Sequence, residues 1–120
     1  MVLIVDDDPI THNLITLGSD YLFDFHHVYN GVKAVEIVDM HEFVLIFMDE
    51  RMPEMTGNEA TSLIKEKYPN TPIISVSAFD LEYLENKQYD DYLQKPIIPS
   101  NLNKMIEKHI SIEFLIENKL

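Results

Sequence analysis

The sequence predicts an α/β fold, a doubly wound parallel sheet of five strands with five helices, in one domain spanning residues 1–120. Three short apolar runs carry this prediction, at Val2–Val5, 43–48 and 73–76. They do not alternate between apolar and polar residues, which is typical of strands buried on both faces of a parallel sheet. Segments with helical periodicity separate them, and this alternation predicts right-handed crossovers.

Two further segments, 25–29 and 92–94, are less apolar and predict weaker strands or edge strands. A first helix is predicted directly behind the first strand, because Pro9 suits the first helical position and Asp8 the capping position before it. Apolar residues then recur at helical spacing, namely Ile10, Leu14, Leu17 and Tyr21.

The other helices are predicted from the same kinds of signal. A second spans 32–40, and Thr56 with Glu59 predicts a capping box at the start of a third. A short, highly polar fourth helix is predicted over 79–87, and Pro99 begins a fifth. The apolar stripes of the third and fifth helices are Ala60, Leu63, Ile64, Tyr68, Leu102, Met105, Ile106 and Ile110.

Composition narrows the classes of function. The 120 residues include 21 acidic and 9 basic side chains, for a net charge of −12. Such a surface favours cations and basic partners, and it disfavours direct contact with nucleic acid, which requires a basic patch. The absence of cysteine excludes disulfides and thiolate metal sites. No apolar stretch approaches membrane-spanning length, so no membrane contact is expected.

Reactive side chains follow four of the five predicted strands. Asp6 and Asp7 follow the first strand, Asp49 the third, Ser77 the fourth and Lys95 the fifth. Ligands of doubly wound sheets bind at the carboxyl ends of strands, so these residues are expected to converge. Three crowded carboxylates would repel one another and raise a pKa unless a cation or the lysine intervened. Mg²⁺, which binds carboxylate and phosphate oxygens, is the expected ion.

Each of these residues also has a structural explanation. The acidic run could simply end a strand and cap a helix, and Asp8 is assigned to the cap alone. Lys95 could be a surface lysine, and Ser77 could be a turn hydroxyl instead of a donor to a bound anion. The five histidines lack metal-ligand spacing and are expected to be solvated or to lie at helix ends.

Apolar character extends beyond one stripe of the fifth helix towards the C-terminus. Two explanations stay open for this segment. It could pack against the sheet, or it could form a surface for a partner, for self-association or for the start of a linker. The residues concerned are Ile112, Phe114, Leu115 and Ile116.

Four motifs, taken together and in order, resemble the receiver domain of two-component response regulators. Residues 3–9 (LIVDDDP) resemble the opening acidic motif of that family, and residues 47–57 (FMDERMPEMTG) resemble its phosphoacceptor motif. Ser77 and Ala78 are similar to its Ser/Thr-Ala step, and residues 90–96 (DDYLQKP) to its closing motif. The resemblance covers nearly the whole chain and implies a flavodoxin-like sheet with strand order 2-1-3-4-5.

The resemblance implies the chemistry of the acidic residues. Asp49 would be the nucleophile, taking a phosphoryl group from a phosphohistidine to form an acyl phosphate. Asp6, Asp7 and Asp49 would hold Mg²⁺ together with the backbone carbonyl of Arg51. The donor would be a histidine kinase or a histidine phosphotransfer protein, which implies a cytoplasmic domain. The chain would catalyse only its own phosphorylation and dephosphorylation.

The resemblance also implies how the phosphoryl group is held and reported. Lys95 would bind one phosphoryl oxygen and the Ser77 hydroxyl another. Movement of Ser77 would open space for Tyr92, the switch aromatic of the family. This change would bias a surface formed by the fourth helix, fifth strand and fifth helix, through which the domain could also self-associate.

The chain departs from the family pattern in two places. The segment between Ser77 and Lys95 is shorter by about four residues, one helical turn, and Gln88 stands where the family has glycine. The fourth helix is therefore expected to be short or displaced. The resemblance implies that Arg51 and Phe79 occupy the two positions that flank the phosphoryl group in this family. A long cation and an aromatic ring there predict slow loss of phosphate.

Two other functions are compatible with parts of the sequence. A haloacid dehalogenase-type phosphatase also opens with a strand followed by Asp-x-Asp, as in Asp6 to Asp8. In that family the lysine precedes the late acidic pair, whereas here Lys95 follows Asp90 and Asp91. The other alternative is a degenerate receiver that acts only as a docking module, although all five site residues are present.

Overall fold

The computed structural model describes residues 1–78 and 87–120, and these residues form five parallel strands. The strands are β1 (Val2–Val5), β2 (Phe25–Val28), β3 (Leu45–Met48), β4 (Ile73–Ser77) and β5 (Asp91–Gln94). They make one sheet in the order β2-β1-β3-β4-β5, with β2 and β5 at its edges. The predicted doubly wound sheet and its strand order are thereby confirmed.

Five helices lie in the described part of the chain. They are α1 (Pro9–Gly18), α2 (Gly31–Ile37), α3 (Gly57–Lys67), α4 (Pro99–His109) and α5 (Ile112–Asn118). The helix predicted over 79–87, with its expected shortening or displacement, lies outside the described residues apart from its last position. Within 1–78 and 87–120, no helix combines the length and the apolar character that crossing a membrane requires.

The sheet is buried between two layers of helices. The layer of α1, α4 and α5 contributes Ile15, Leu102, Ile106 and Leu115 to one core cluster. The layer of α2 and α3 contributes side chains such as Ala34 to the other. Every residue of β1 and β3 is buried, which explains why these strands are continuous apolar runs in the sequence.

Local hydrogen bonds start two of the helices as predicted. The Asp8 carboxylate accepts a hydrogen bond from the Ile10 backbone N–H at 3.0 Å and caps α1. Thr56 and Glu59 form the reciprocal capping box at the start of α3.

Three residues of the apolar stripe predicted for α1 face solvent, and the fourth, Tyr21, lies beyond the end of the helix and is buried. Ile10, Leu14 and Leu17 are 63%, 45% and 86% exposed. The helix buries His12 and Ile15 against the sheet instead. The helix is confirmed, but its rotation follows contacts with the sheet and not the positions of its most apolar residues.

The apolar segment near the C-terminus forms a helix of its own, α5. Leu115 is buried, and the ring of Phe114 stacks on Phe23 with 6.0 Å between centroids. Ile112 and Ile116 lie on the exposed side of the same helix. Packing against the core therefore accounts for the inner residues of this segment, and the outer residues remain available as a surface.

Candidate functional site

The register of the sheet brings Asp6 and Asp49 together. Val5 of β1 pairs with Met48 of β3, so the next residue of each strand emerges at the same place on the edge. The Asp49 N–H donates to the Val5 carbonyl at 2.8 Å. One carboxylate oxygen from each of Asp6, Asp7 and Asp49 lies within 4.8 Å of the other two. The predicted acid cluster, meaning these three residues, is therefore present.

Burial makes this cluster costly without compensating partners. Asp6 is 1% and Asp49 is 6% exposed, whereas Asp7 is open to solvent. The two carboxylate oxygens of Asp6 are both engaged, one by the Asp8 backbone N–H at 2.8 Å and the other by Lys95 Nζ at 2.9 Å. Hydrogen bonds and an ion pair thus offset the desolvation of Asp6.

Lys95 lies beside the acid cluster, and its side chain is only 28% exposed. Ser77 of β4 pairs with Gln94 of β5, and the Lys95 N–H donates to the Ser77 carbonyl at 2.8 Å. The Lys95 Nζ lies 2.9 Å from Asp6 and 3.7 Å from Asp49. Burial acts to lower the Lys95 pKa, but the hydrogen bond that Lys95 donates to Asp6 and the charge of Asp49 outweigh it and raise this pKa. The ammonium group is therefore held charged beside the acids.

Asp49 experiences both burial and like charge. Burial, followed by the neighbouring Asp6 carboxylate, raises the Asp49 pKa from 3.8 to about 7. Asp7 acts in the same direction, while Lys95 and a backbone hydrogen bond from Arg51 oppose the rise. The crowding expected from the sequence is thus present, and its relief by a cation is the chemistry for which the cluster is suited.

The remaining predicted residues lie around this centre. Ser77 is buried at the carboxyl end of β4, and Arg51 is exposed in the loop that follows β3. Tyr92 of β5 is half-buried, and its ring meets Tyr89 edge-on with 6.3 Å between centroids. Phe79, predicted to flank the phosphoryl group, lies outside the described residues.

A buried polar link that the sequence did not reveal joins the loop after β3 to the segment before β5. Glu50 is 3% exposed, and its carboxylate accepts hydrogen bonds from the Tyr89 hydroxyl and from the Asn58 N–H. The Gly57 N–H donates to the Glu50 carbonyl at 2.8 Å. A Cβ at Gly57 would collide with the Asp49 carbonyl group, so only glycine allows this approach. No pattern in the sequence distinguishes Glu50 from a solvated acid.

His12 is the second residue that sequence reasoning missed, because the expectation of solvated histidines was wrong for it. It is 3% exposed, and its Nε2 lies 2.9 Å from the Asp6 carbonyl oxygen. Its Nδ1 lies 2.8 Å from Nδ1 of His27, and its ring packs on Tyr29. The available signal was its spacing from Ile15, which places both on the inner face of α1.

Comparison with known proteins identifies what this chain is similar to. It matches the family model for the response regulator receiver domain over residues 2–107. Hybrid signal transduction histidine kinase B of Dictyostelium discoideum is 34% identical over 92% of the chain. The autoinducer 1 sensor kinase/phosphatase LuxN of Vibrio campbellii is 35% identical over 98% of it. The chain spans 7% and 14% of the lengths of these two proteins.

Solved structures share the fold over nearly the full chain. A two component transcriptional regulator AraC from Clostridium phytofermentans has a TM-score of 0.80 and 28% identity, covering 97% of this chain and 95% of that one. The chemotaxis protein CheY4 of Vibrio cholerae has a TM-score of 0.75 and 25% identity, covering 91% and 97%.

Proposed function

Because the chain belongs to the response regulator receiver domain family, we propose that Asp49 accepts a phosphoryl group from a histidine kinase or a histidine phosphotransfer protein. The observation that carries this proposal is the acid cluster with Lys95 beside it, gathered from three strand ends. In this proposal residues 1–120 form one cytoplasmic receiver domain. It would catalyse only its own phosphorylation and dephosphorylation.

The proposed reaction is a displacement at phosphorus. A carboxylate oxygen of Asp49 attacks the phosphorus of a phosphohistidine, the new P–O bond forms as the P–N bond breaks, and the leaving imidazole takes up a proton. The raised Asp49 pKa means that an ionised nucleophile needs positive charge nearby. Lys95 supplies one such charge at 3.7 Å, and its ammonium group has further N–H donors for a phosphoryl oxygen.

We further propose that the acid cluster and the backbone carbonyl of Arg51 hold Mg²⁺. The cluster fits a hard cation, since three carboxylates offer oxygens within 4.8 Å of one another and one of them, Asp7, faces solvent. When bound, this ion would neutralise negative charge on the acids and on the phosphoryl group. The Asp6 carboxylate is held in a fixed orientation because it accepts hydrogen bonds from the Asp8 N–H and from Lys95 Nζ.

Ser77 and Tyr92 are proposed to report phosphorylation to the output surface. The Ser77 hydroxyl would bind a phosphoryl oxygen, and Tyr92 would move into the space that opens. The described part of that surface comprises β5 and α4. These elements are tied together because Asp91 accepts from Lys108 at 2.7 Å and is paired with His109 at 2.8 Å. Self-association through this surface remains part of the proposal.

An exposed apolar face beside the site supports a protein donor. Ile10, Leu14 and Leu17 line the outer side of α1, and Ile98 is 51% exposed three residues beyond Lys95. Apolar patches of this kind on a highly charged protein mark interaction surfaces. We propose that the donor protein covers this face while its phosphohistidine reaches Asp49.

Phosphorylation of purified chain variants tests the central proposal. With acetyl phosphate and Mg²⁺, intact mass should increase by one phosphoryl group in the parent chain and in the control Glu66→Gln, an exposed acid of α3. The increase should be absent in Asp49→Ala and at least about tenfold slower in Lys95→Ala. Labelling of Asp49→Ala would contradict the assignment of the acceptor. An unlabelled parent chain would leave the docking module as the better description.

A second measurement addresses the phosphatase alternative, which the family match does not favour. Hydrolysis of a small phosphate ester should be undetectable in every variant. Turnover that is lost in Asp6→Asn but kept in Asp49→Asn would overturn the receiver mechanism.

A comparison of two phosphoryl donors tests the apolar face of α1, and a half-life measurement tests the role of the Arg51 side chain. Leu14→Glu should slow transfer from a phosphorylated histidine phosphotransfer domain while leaving acetyl phosphate labelling unchanged, and Ile116→Glu on α5 serves as the matched control. Equal slowing with both donors would count against the docking role of α1. Arg51→Ala should shorten the half-life of the acyl phosphate, and an unchanged half-life would mean that the Arg51 side chain does not slow the loss of phosphate.

A further inference from the structure

His12 lies behind the acid cluster, and the reaction proposed above makes no use of it. The side chain is 3% exposed and is contacted on three sides. Nε2 lies 2.9 Å from the carbonyl oxygen of Asp6, and Nδ1 lies 2.8 Å from Nδ1 of His27. The ring packs on Tyr29 with 4.5 Å between centroids. A buried histidine with both nitrogens engaged holds its ring in one orientation.

Hydrogen-bond chemistry assigns the protons of this pair. A carbonyl oxygen can only accept, so His12 Nε2 must carry a proton and donate to Asp6. In a neutral His12 ring the Nδ1 is then an acceptor, and His27 must donate from its own Nδ1. Burial, the largest cause, lowers the His27 pKa and favours its neutral form. The pair thus fixes the tautomer of the inner ring.

We propose that His12 is a positioning residue for the cation site, with its Nε2–H orienting the peptide group between Asp6 and Asp7. The inference rests on the proposed function, because this orientation matters only if these carboxylates bind Mg²⁺. The other polar atoms of Asp6 are engaged by Val28, Asp8 and Lys95. The remaining polar atom of Asp6 is its carbonyl oxygen, which His12 binds. This oxygen belongs to the peptide group that joins Asp6 to Asp7.

His27 connects this support to the edge of the sheet. It is exposed on β2, where it pairs with Ile4 of β1, two residues before Asp6. By donating to His12 Nδ1, it keeps the proton of the inner ring on the nitrogen that faces Asp6. The orientation of Asp6 and Asp7 thus depends on His27 of the edge strand β2, which acts through the ring of His12.

Mg²⁺ affinity of the whole chain, measured by calorimetry, tests the proposal. His12→Met keeps the bulk and removes the donor, and it should weaken binding about threefold to tenfold. His12→Gln retains an amide N–H near the position of Nε2 and should restore affinity to within about twofold of the parent. His26→Met, a half-buried histidine of the same strand pair, is the matched control and should bind like the parent.

Two results would overturn the inference. One is parent-like affinity in His12→Met. The other is equal weakening in His12→Gln and His12→Met, which would mean that packing matters and the donor does not. In either case a parent chain that still binds Mg²⁺ and is labelled by acetyl phosphate leaves the proposed function intact. A parent chain that does neither removes both.

Nitrogen NMR of the parent chain gives an answer even if the His12 variants do not fold. At about pH 8, where ordinary histidines are neutral, the His12 proton should reside on Nε2 and the His27 proton on Nδ1. A scalar coupling should connect the two Nδ1 atoms across the hydrogen bond. A neutral His12 protonated on Nδ1 would place no donor against Asp6 and would refute the positioning role.

Discussion

Asp49 makes the stability of this domain depend on pH, and replacing it with asparagine is expected to remove that dependence. Burial, followed by the Asp6 carboxylate, raises the Asp49 pKa in the folded chain to about 7, against the ordinary 3.8 of an unfolded chain. The folded chain therefore binds this proton more tightly than the unfolded chain does. The resulting stability is complete below the unfolded value and is lost as the pH rises through about 7.

The size of the effect follows from the same two values. Between about pH 5 and the Asp49 midpoint, the free energy of unfolding falls by about 1.4 kcal/mol per pH unit. From about pH 5 to about pH 8 the parent chain should therefore lose up to about 3 kcal/mol through this carboxyl alone. Asparagine is uncharged throughout, so Asp49→Asn should gain that amount relative to the parent over the interval.

Urea unfolding in the presence of a chelator, at both pH values, measures this difference. Glu66→Gln, which removes an exposed carboxylate of α3, is the control and should track the parent chain. Excess Mg²⁺ at about pH 8 should restore stability to the parent and leave Asp49→Asn unchanged. If the parent and Asp49→Asn differ by the same free energy at both pH values, the Asp49 carboxyl does not have the raised pKa inferred from its burial.

Three further predictions concern the loop after β3, with urea unfolding as the measurement. Gly57→Ala should cost at least about 2 kcal/mol because its Cβ would lie 2.9 Å from the rigid Asp49 carbonyl carbon. Gly18→Ala, whose Cβ would meet side-chain atoms no closer than 3.3 Å, should cost clearly less, and equal losses would contradict the clash. Thr56→Ala should cost about 1 kcal/mol by removing the cap, and an unchanged midpoint would argue against it. Tyr89→Phe should cost about 1–3 kcal/mol by leaving a buried carboxylate short of a donor, whereas a neutral effect would mean that water replaces the hydroxyl.

The sheet and the helix caps could be predicted from the sequence because their signals are local. A strand buried on both faces is mostly apolar along its length, and β1 and β3 are apolar at every position. A capping box involves residues three apart, so Thr56 and Glu59 predict it without any tertiary contact. The acid cluster was predictable for a related reason, since parallel strands bring their carboxyl ends to one edge.

Helix rotation could not be predicted in the same way. The spacing of Ile10, Leu14 and Leu17 predicts a helix, yet the face that α1 buries carries His12 and Ile15. The hydrogen bond from His12 to the Asp6 carbonyl helps to set that rotation, and it forms only when strand and helix are both in place. The same limit applies to α5, where packing on the core distinguishes Phe114 and Leu115 from the exposed Ile112 and Ile116.

Asp49 and Glu50 show which features can be predicted from the sequence and which depend on tertiary contacts. They are adjacent acids after one apolar strand, and both are nearly fully buried. One joins the acid cluster, and the other accepts from Tyr89, 39 positions away. Lys95 reaches Asp6 across 89 positions. The sequence by itself determined the strands, the caps and the residues at the carboxyl edge, because neighbours along the chain specify them. The tertiary structure decided which of those groups face one another, because strand register and helix rotation depend on contacts between distant residues.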